Sequence, residues 1–267
     1  MPLLYVTDLA YPARGRRYGD EDVFLTARLR EHFPLALCHP LDAEALLSAG
    51  FDTVVIRNSG PVLHHQQAYD SFRAAALAAG TRVYNPLTGR GDMAGKQYLV
   101  DLTTSGHPVI PTVDDPAHLS LLPPSPTYAV KPKQGADSIG LTFTPHPDCT
   151  PGEFLIQPRI DFAYEVSFYF VDDAFQYALY APDPARRWEL VRYDPTPADL
   201  AFARTFIDWN TLTHGIQRVD ACRAPSGDLL LVELEDLNPY LSLDLLPPEV
   251  QNTFVTSLVR SLHGFGA

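Results

Sequence analysis

Cysteine is scarce in this chain. Only three of its 267 residues are cysteines (Cys38, Cys149 and Cys222), an odd count without metal-ligand spacing that suits a reducing compartment. Long apolar runs are missing too. None approaches the roughly 20 residues a membrane span needs, and the short run before Asp8 makes a poor signal peptide. Basic charge is in deficit: 20 Lys and Arg stand against 32 Asp and Glu, a net charge of -12. A nucleic-acid backbone as main partner needs clustered Lys and Arg, so that class is disfavoured. The Gly-x-Gly-x-x-Gly phrase of a dinucleotide oxidoreductase is absent after the first strand, where the sequence reads Thr7-Asp8-Leu9-Ala10-Tyr11-Pro12. His64, His65 and His214 lack the Ser or Cys signature of an activated nucleophile. There is no internal repeat and no low-complexity segment. These absences predict a soluble, cytoplasmic protein.

What is present is an ordinary globular balance, 46% hydrophobic and 19% charged. Strand-like runs at 3–6, 35–37, 53–56 and 82–84 alternate with helical patterns at 20–32, 41–49 and 65–79, which implies a parallel sheet. This predicts an α/β domain over residues 1–86. A helix over 92–105, stopped by Gly106, and a short strand at 108–111 follow. Strands at 128–131, 139–143 and 154–157 fill a second unit, residues 87–160. Strands at 163–172 and 175–181 then meet at Asp172-Asp173. A helix capped by Thr196, strands at 216–223 and 229–235, and a final helix striped by Val250, Phe254, Leu258 and Leu262 complete a third unit, residues 161–267, of α+β character.

The most informative residues are Arg218-Val219-Asp220 and Glu233-Leu234-Glu235. Strand side chains alternate faces. A turn centred between Ser226 and Gly227 sets Asp220 opposite Glu233 and Arg218 opposite Glu235, with all four on one surface. Three gathered carboxylates repel one another unless a cation neutralises them. Magnesium, which favours oxygen ligands, does this well, and Asn238 offers a further oxygen. The alternative is a surface hairpin with an Arg–Glu pair. The apolar run Leu229 to Leu234 argues for a strand buried on both faces, where unpartnered carboxylates are costly.

Three further stretches carry candidates. Lys131-Pro132-Lys133 leads into a loop with Gly135, Ser138 and Gly140, where glycine lets backbone amides approach phosphate oxygens. Lys96, in Asp92-Met93-Ala94-Gly95-Lys96, is placed to reach a phosphate from a second direction. Gln157 to Ile160 offers a backbone edge for an adenine, and Glu165 beyond it is placed to hold a ribose hydroxyl or orient a lysine. For substrate, Arg57-Asn58-Ser59-Gly60 follows an apolar strand, where α/β sheets present ligand groups. Arg14, Arg16, Arg17 and the Arg186-Arg187-Trp188 run are candidate anion sites.

In this order the pieces resemble the ATP-grasp superfamily, of the D-alanine–D-alanine ligase and glutathione-synthetase type. The likeness covers roughly residues 85–243. It departs from the pattern at Glu235, where Asn is usual, so either Glu235 or Asn238 completes the metal set, and Lys131 and Lys133 compete for phosphate. The resemblance implies an ATP-grasp fold with an N-terminal α/β domain and ATP bound between two sheets by Lys96 and Lys131. It implies one or two magnesium ions, or manganese, on Asp220, Glu233 and Glu235 or Asn238, with Arg218 stabilising the transferred phosphoryl group. The implied activity is carboxylate–amine ligation through an acyl phosphate, on an amino acid or small peptide. A kinase of the same fold and a non-catalytic nucleotide-binding module are the alternatives. Partners are small carboxylate and amine substrates, with a homodimer left open and neither nucleic acid nor membrane expected.

Overall fold

Four short apolar segments, Leu3–Val6 (β1), Leu35–Cys38 (β2), Thr53–Ile56 (β3) and Val83–Tyr84 (β4), lie parallel in the order β2-β1-β3-β4. The structure, a computed structural model, describes residues 1–10, 18–57, 64–134 and 140–266. Strands covered on both faces read as continuous apolar runs. Here Leu3, Tyr5 and Val55 pack with Leu25 and Leu29 of helix α1 (Tyr18–Leu29) and with Phe254, Leu258 and Leu262 of the last helix, α5 (Pro248–Gly266). Leu4, Val6, Val54 and Ile56 face the other way, onto Tyr69, Phe72 and Ala76 of α2 (Gln66–Ala79).

Residues 128–158 form a small antiparallel sheet, β6-β5-β7, from Tyr128–Pro132 (β5), Thr142–Thr144 (β6) and Phe154–Pro158 (β7). A five-stranded antiparallel sheet, β10-β9-β8-β11-β12, follows. Its strands are Tyr164–Val171 (β8), Ala174–Ala181 (β9), Val191–Tyr193 (β10), Ile216–Arg223 (β11) and Leu229–Glu235 (β12). One face of this sheet, with Val166, Phe168, Val219, Leu231 and Leu234, packs on α3 (Tyr98–Thr104) and α4 (Pro197–Asn210). The other face carries polar side chains, while its Tyr169, Val171, Tyr177 and Leu179 join the cluster under α5. The last helix therefore packs on both the first sheet and the third. Thr196 and Asp199 close a capping box on α4, with Pro197 in its first turn.

Several expectations give way. Residues 41–49 are not an α-helix: a single 3-10 turn, Pro40–Asp42, is followed by turns. The helix expected over 92–105 splits into a 3-10 turn, Asp92–Ala94, and α3, because Gly95 between them has φ 83°, outside helical backbone. The strand expected at 108–111 shrinks to one bridge between Val109 and Leu231, since prolines at both ends have no N–H to donate. The edge strand β10 went unforeseen, its three residues being too few to show a period.

Candidate active site

The β11–β12 hairpin has the expected register at its far end, Asp220 opposite Glu233 and Arg218 opposite Glu235. It gets there by an unexpected route. The pairs nearest the turn, such as Arg223 with Leu229, are centred one half-residue earlier, and a β-bulge between Asp220 and Ala221 restores the offset. The extra residue is Val232. A bulge re-aims side chains, so Leu229, Leu231 and Leu234 all reach the core while Val232, Glu233 and Glu235 line a cavity. One face of β12 is thus core and the other is site, rather than both being core. Tyr98 accepts a hydrogen bond from the Leu234 N–H at 2.7 Å just past the bulge.

Arg218 organises the carboxylates. Its guanidinium grips Asp220 bidentately at 2.9 and 2.8 Å, donates to Glu235 at 2.5 Å and to the Tyr240 carbonyl at 2.8 Å. Ser167, on the neighbouring β8, donates to Asp220 at 2.6 Å. Glu233 instead pairs with Lys96 at 2.7 Å. Burial pushes the Glu233 carboxyl up, but Lys96 and Lys131 outweigh it and hold it below the usual range. Burial, reinforced by Asp220 and Glu233 against Arg218, pushes Glu235 up.

The chain contains three lysines, and all three are here. Lys96 is brought to the hairpin by the Gly91–Lys96 segment, and its N–H donates to the Lys133 carbonyl at the end of β5 at 3.3 Å. Lys131, on β5, makes no ion pair or hydrogen bond with a described residue and does not itself line the cavity. It is close enough to Glu233 and Lys96 for their charges to act on it. Burial lowers its ammonium to about 8, with Glu233 opposing and Lys96 adding to the shift. Lys133 is held elsewhere, by Asp114 at 2.7 Å and by Gln97. Between the two rival lysines, Lys131 is the uncommitted cation.

Two acids were missed by the sequence reading. Asp236 is fully buried and accepts from the Gly91 and Met93 N–H groups at 2.9 and 2.8 Å and from Asn210 at 2.9 Å. Asp92 accepts from the Asp236 and Leu237 N–H groups at 2.6 and 2.8 Å. This clasp fixes the Lys96 segment to the end of β12. It also explains Gly91, where a Cβ would lie 2.6 Å from the Leu234 carbonyl oxygen. Burial, then Asp236 and Glu235, push the Asp92 carboxyl well up. A third acid directly after Glu235, on the core side of an apolar strand, was the available signal.

The remaining candidates divide. Glu165 lines the cavity and is held bidentately by Arg187, both contacts at 2.7 Å. Arg57 lines it too, buried between Glu21, Asp22 and the Pro239 carbonyl, with contacts of 3.0 Å to Glu21 and 2.8 Å to Pro239. Burial pushes Glu21 up to about 7 against the pull of Arg57. Gln157 turns to Thr112 at 2.8 Å, and neither it nor Ile160 lines the cavity. The backbone of Ile156 on that edge is engaged with Val113. Arg14, Arg16, Arg17, Asn58, Gly135 and Ser138 lie outside the described residues.

The donor chemistry fits magnesium and a polyphosphate. Glu233 and Glu235 each keep one carboxylate oxygen, and Asn238 its amide, without a hydrogen bond to any described residue. These are hard oxygen donors of the kind magnesium selects. Both oxygens of Asp220 are engaged by Arg218 and Ser167, which makes it the weaker donor. Lys96, paired with Glu233, and Lys131, close enough for its charge to act on Glu233, supply the opposite charge.

No protein-family model matches the sequence, and no curated protein matches it. Solved structures do. D-cycloserine synthetase DcsG superposes with a TM-score of 0.73 at 20% identity, over 98% of this chain and 100% of that one. A RiPP-associated ATP-grasp ligase from Chryseobacterium gregarium, solved with ADP and a leader and core peptide, gives 0.67 at 10% identity over 98% and 96%. D-alanine–D-alanine ligase from Bacillus anthracis, complexed with ATP, gives 0.64 at 12% over 100% and 97%. Together with the sheets and the site they frame, these end-to-end likenesses show that the chain has the ATP-grasp fold.

Proposed function

We propose that the protein is an ATP-dependent ligase that activates a carboxylate as an acyl phosphate and joins it to an amine, forming a C–N bond. The observation that carries this reading is the convergence of Lys96 and Lys131, from two different segments, on the Arg218–Asp220–Glu233–Glu235 face. Neighbours that include an amino-acid ligase and a peptide-bound ligase support the reaction class. Glu233, Glu235 and Asn238 would hold one or two magnesium ions. Bound there, the metal would neutralise phosphate charge and screen the incoming carboxylate from it. Lys96 and Lys131 grip phosphate oxygens. Arg218, fixed in orientation by Asp220 and Glu235, presents a preorganised cation to the transferring phosphoryl group, and such preorganisation contributes most of the rate in phosphoryl transfer. The same cavity is also lined by Arg57 and Glu21, which offer both charge signs, and by Tyr18, a set that suits a zwitterionic, amino-acid-like substrate.

A matrix of amino acids and small acids, scored for phosphate release and followed by mass spectrometry, tests the proposal. Release that needs both a carboxylate and an amine, with an amide product, supports it. A stable phosphorylated hydroxyl product makes the protein a kinase instead.

A further inference from the structure

Outside the proposed nucleotide site, a second constellation sits at the carboxyl edge of the first sheet. Asp8 lies two residues beyond β1, His39 directly follows β2, and His65 directly precedes α2 in the connection from β3. The strands end level, with Val6 in register with Cys38 and with Ile56. Three side chains far apart in sequence therefore meet at the place where parallel sheets commonly bind ligands. One donor atom from each lies within 4.8 Å of the others. His65 Nε2 is 3.1 Å and His39 Nε2 is 3.7 Å from the same oxygen, Asp8 Oδ2. The two rings meet edge-on, with centroids 4.9 Å apart. Asp8 and His65 are largely shielded, with side chains 12% and 17% exposed, while His39 is 38% exposed.

The supporting contacts fix the carboxylate. Asp8 Oδ1 accepts the Ala10 N–H at 2.9 Å, which turns Oδ2 toward the imidazoles. Orientation of a ligand by a backbone group is what metal centres use. Around His39, Nδ1 accepts the Leu41 N–H at 3.2 Å. Coordination through Nε2 moves the ring proton to Nδ1 and gives up that long contact. Thr7, the residue before Asp8, donates to Asp22 at 2.5 Å, and Asp22 lines the main cavity. An ion at this position is therefore tied to the lining of the main cavity through Thr7.

We propose that Asp8, His39 and His65 form a binding site for a borderline divalent transition metal such as zinc, separate from the magnesium donors on β12. Two imidazoles and one carboxylate suit zinc or cobalt(II) far better than magnesium. Three protein ligands leave a fourth position for water or for a substrate heteroatom.

The test uses the full chain, stripped with chelator and titrated with zinc chloride and, in parallel, cobalt(II) chloride. The proposal expects one zinc per chain, a rise in melting temperature, and visible d–d bands from four-coordinate cobalt. His65→Ala and His39→Ala should each weaken zinc binding by about 100-fold or more, since losing even a supporting partner of a ligand costs about 10–100-fold. Glu233→Gln should leave zinc affinity within about threefold, since Glu233 and the three ligands have no ion-pair partner in common. Both histidine variants replace side chains at the sheet edge, and a cooperative melt without metal confirms that they fold. The proposal is overturned if the wild-type chain binds no zinc, which makes the cluster a hydrogen-bonded Asp–His pair. It is equally overturned if binding survives both histidine substitutions and is lost in Glu233→Gln, which places the ion on the β12 carboxylates.

Discussion

Glu233→Gln separates structure from chemistry at the centre of the site. The substitution keeps the shape of the side chain and an oxygen that can accept from Lys96, now at 2.7 Å from Oε1. It removes the charge that holds Lys96 and Lys131 against burial. Deleting a partner outright from a buried ion pair costs about 3–5 kcal/mol. With one neutral hydrogen bond retained, the expected loss is about 2 kcal/mol. A chain of this size then melts roughly 4–8 °C lower and remains folded. Activity should fall much further, by about 10²-fold or more in kcat/KM, the scale for losing one electrostatic contact to a transferring group. Adding Lys96→Met should recover part of the stability, because the stranded ammonium is gone, yet recover no activity. Calorimetric melts and a coupled phosphate-release assay over a magnesium series read both quantities. If Glu233→Gln turns over within about threefold of wild type, Glu233 is merely the partner of Lys96 and the metal assignment fails.

Three other outcomes follow from the same geometry. Lys131 titrates near 8, below its unfolded value of about 10.4. It therefore weakens the fold below pH 8, and that penalty lifts as the pH rises toward 10. A phosphate beside it favours the ammonium, so ATP affinity should be flat below about pH 7 and fall by up to tenfold per pH unit above 8. Calorimetric titration should show this slope in the wild type and a flat profile in Lys131→Arg. Asp236→Ala strands the Gly91 and Met93 N–H groups and the Asn210 amide. At about 1.5 kcal/mol or more each, the melting temperature should drop by about 10 °C or more, and a drop under about 3 °C contradicts the clasp. Arg218→Lys cannot span Asp220, Glu235 and the Tyr240 carbonyl together. Steady-state kinetics should show kcat falling by about 10²-fold with little change in KM for ATP, and an unchanged kcat removes Arg218 from phosphoryl transfer.

Local chemistry made much of this legible in the sequence. The β11–β12 pairing follows from a Pro-Ser-Gly-Asp turn and period-two alternation, and the α4 cap follows from Thr196-Pro197 and Asp199. Even there the bulge at Val232 was invisible, because a shifted turn and an added residue offset each other in the final register. Long-range partners were harder. Asp92 and Asp236 are 144 residues apart and declare themselves only when the Lys96 segment docks on β12. Arg57 was legible as a cavity cation from its place after an apolar strand, but nothing near it in sequence announces its partners Glu21 and Asp22, which come from α1. The side-chain partner of Gln157, Thr112, is likewise 45 residues away in sequence. Asp8, His39 and His65 belong to three separate connections, which only the sheet order brings together.

The presence of just three lysines allows the central claim to be tested residue by residue. The chain can be treated briefly with an amine-acylating reagent, with and without magnesium ATP, and modification at Lys96, Lys131 and Lys133 counted by mass spectrometry. The account predicts that nucleotide protects Lys96 and Lys131 together, at one half-saturating concentration, and leaves Lys133 on Asp114 nearly unchanged. Protection of Lys133 alone, or of none of the three, would contradict it.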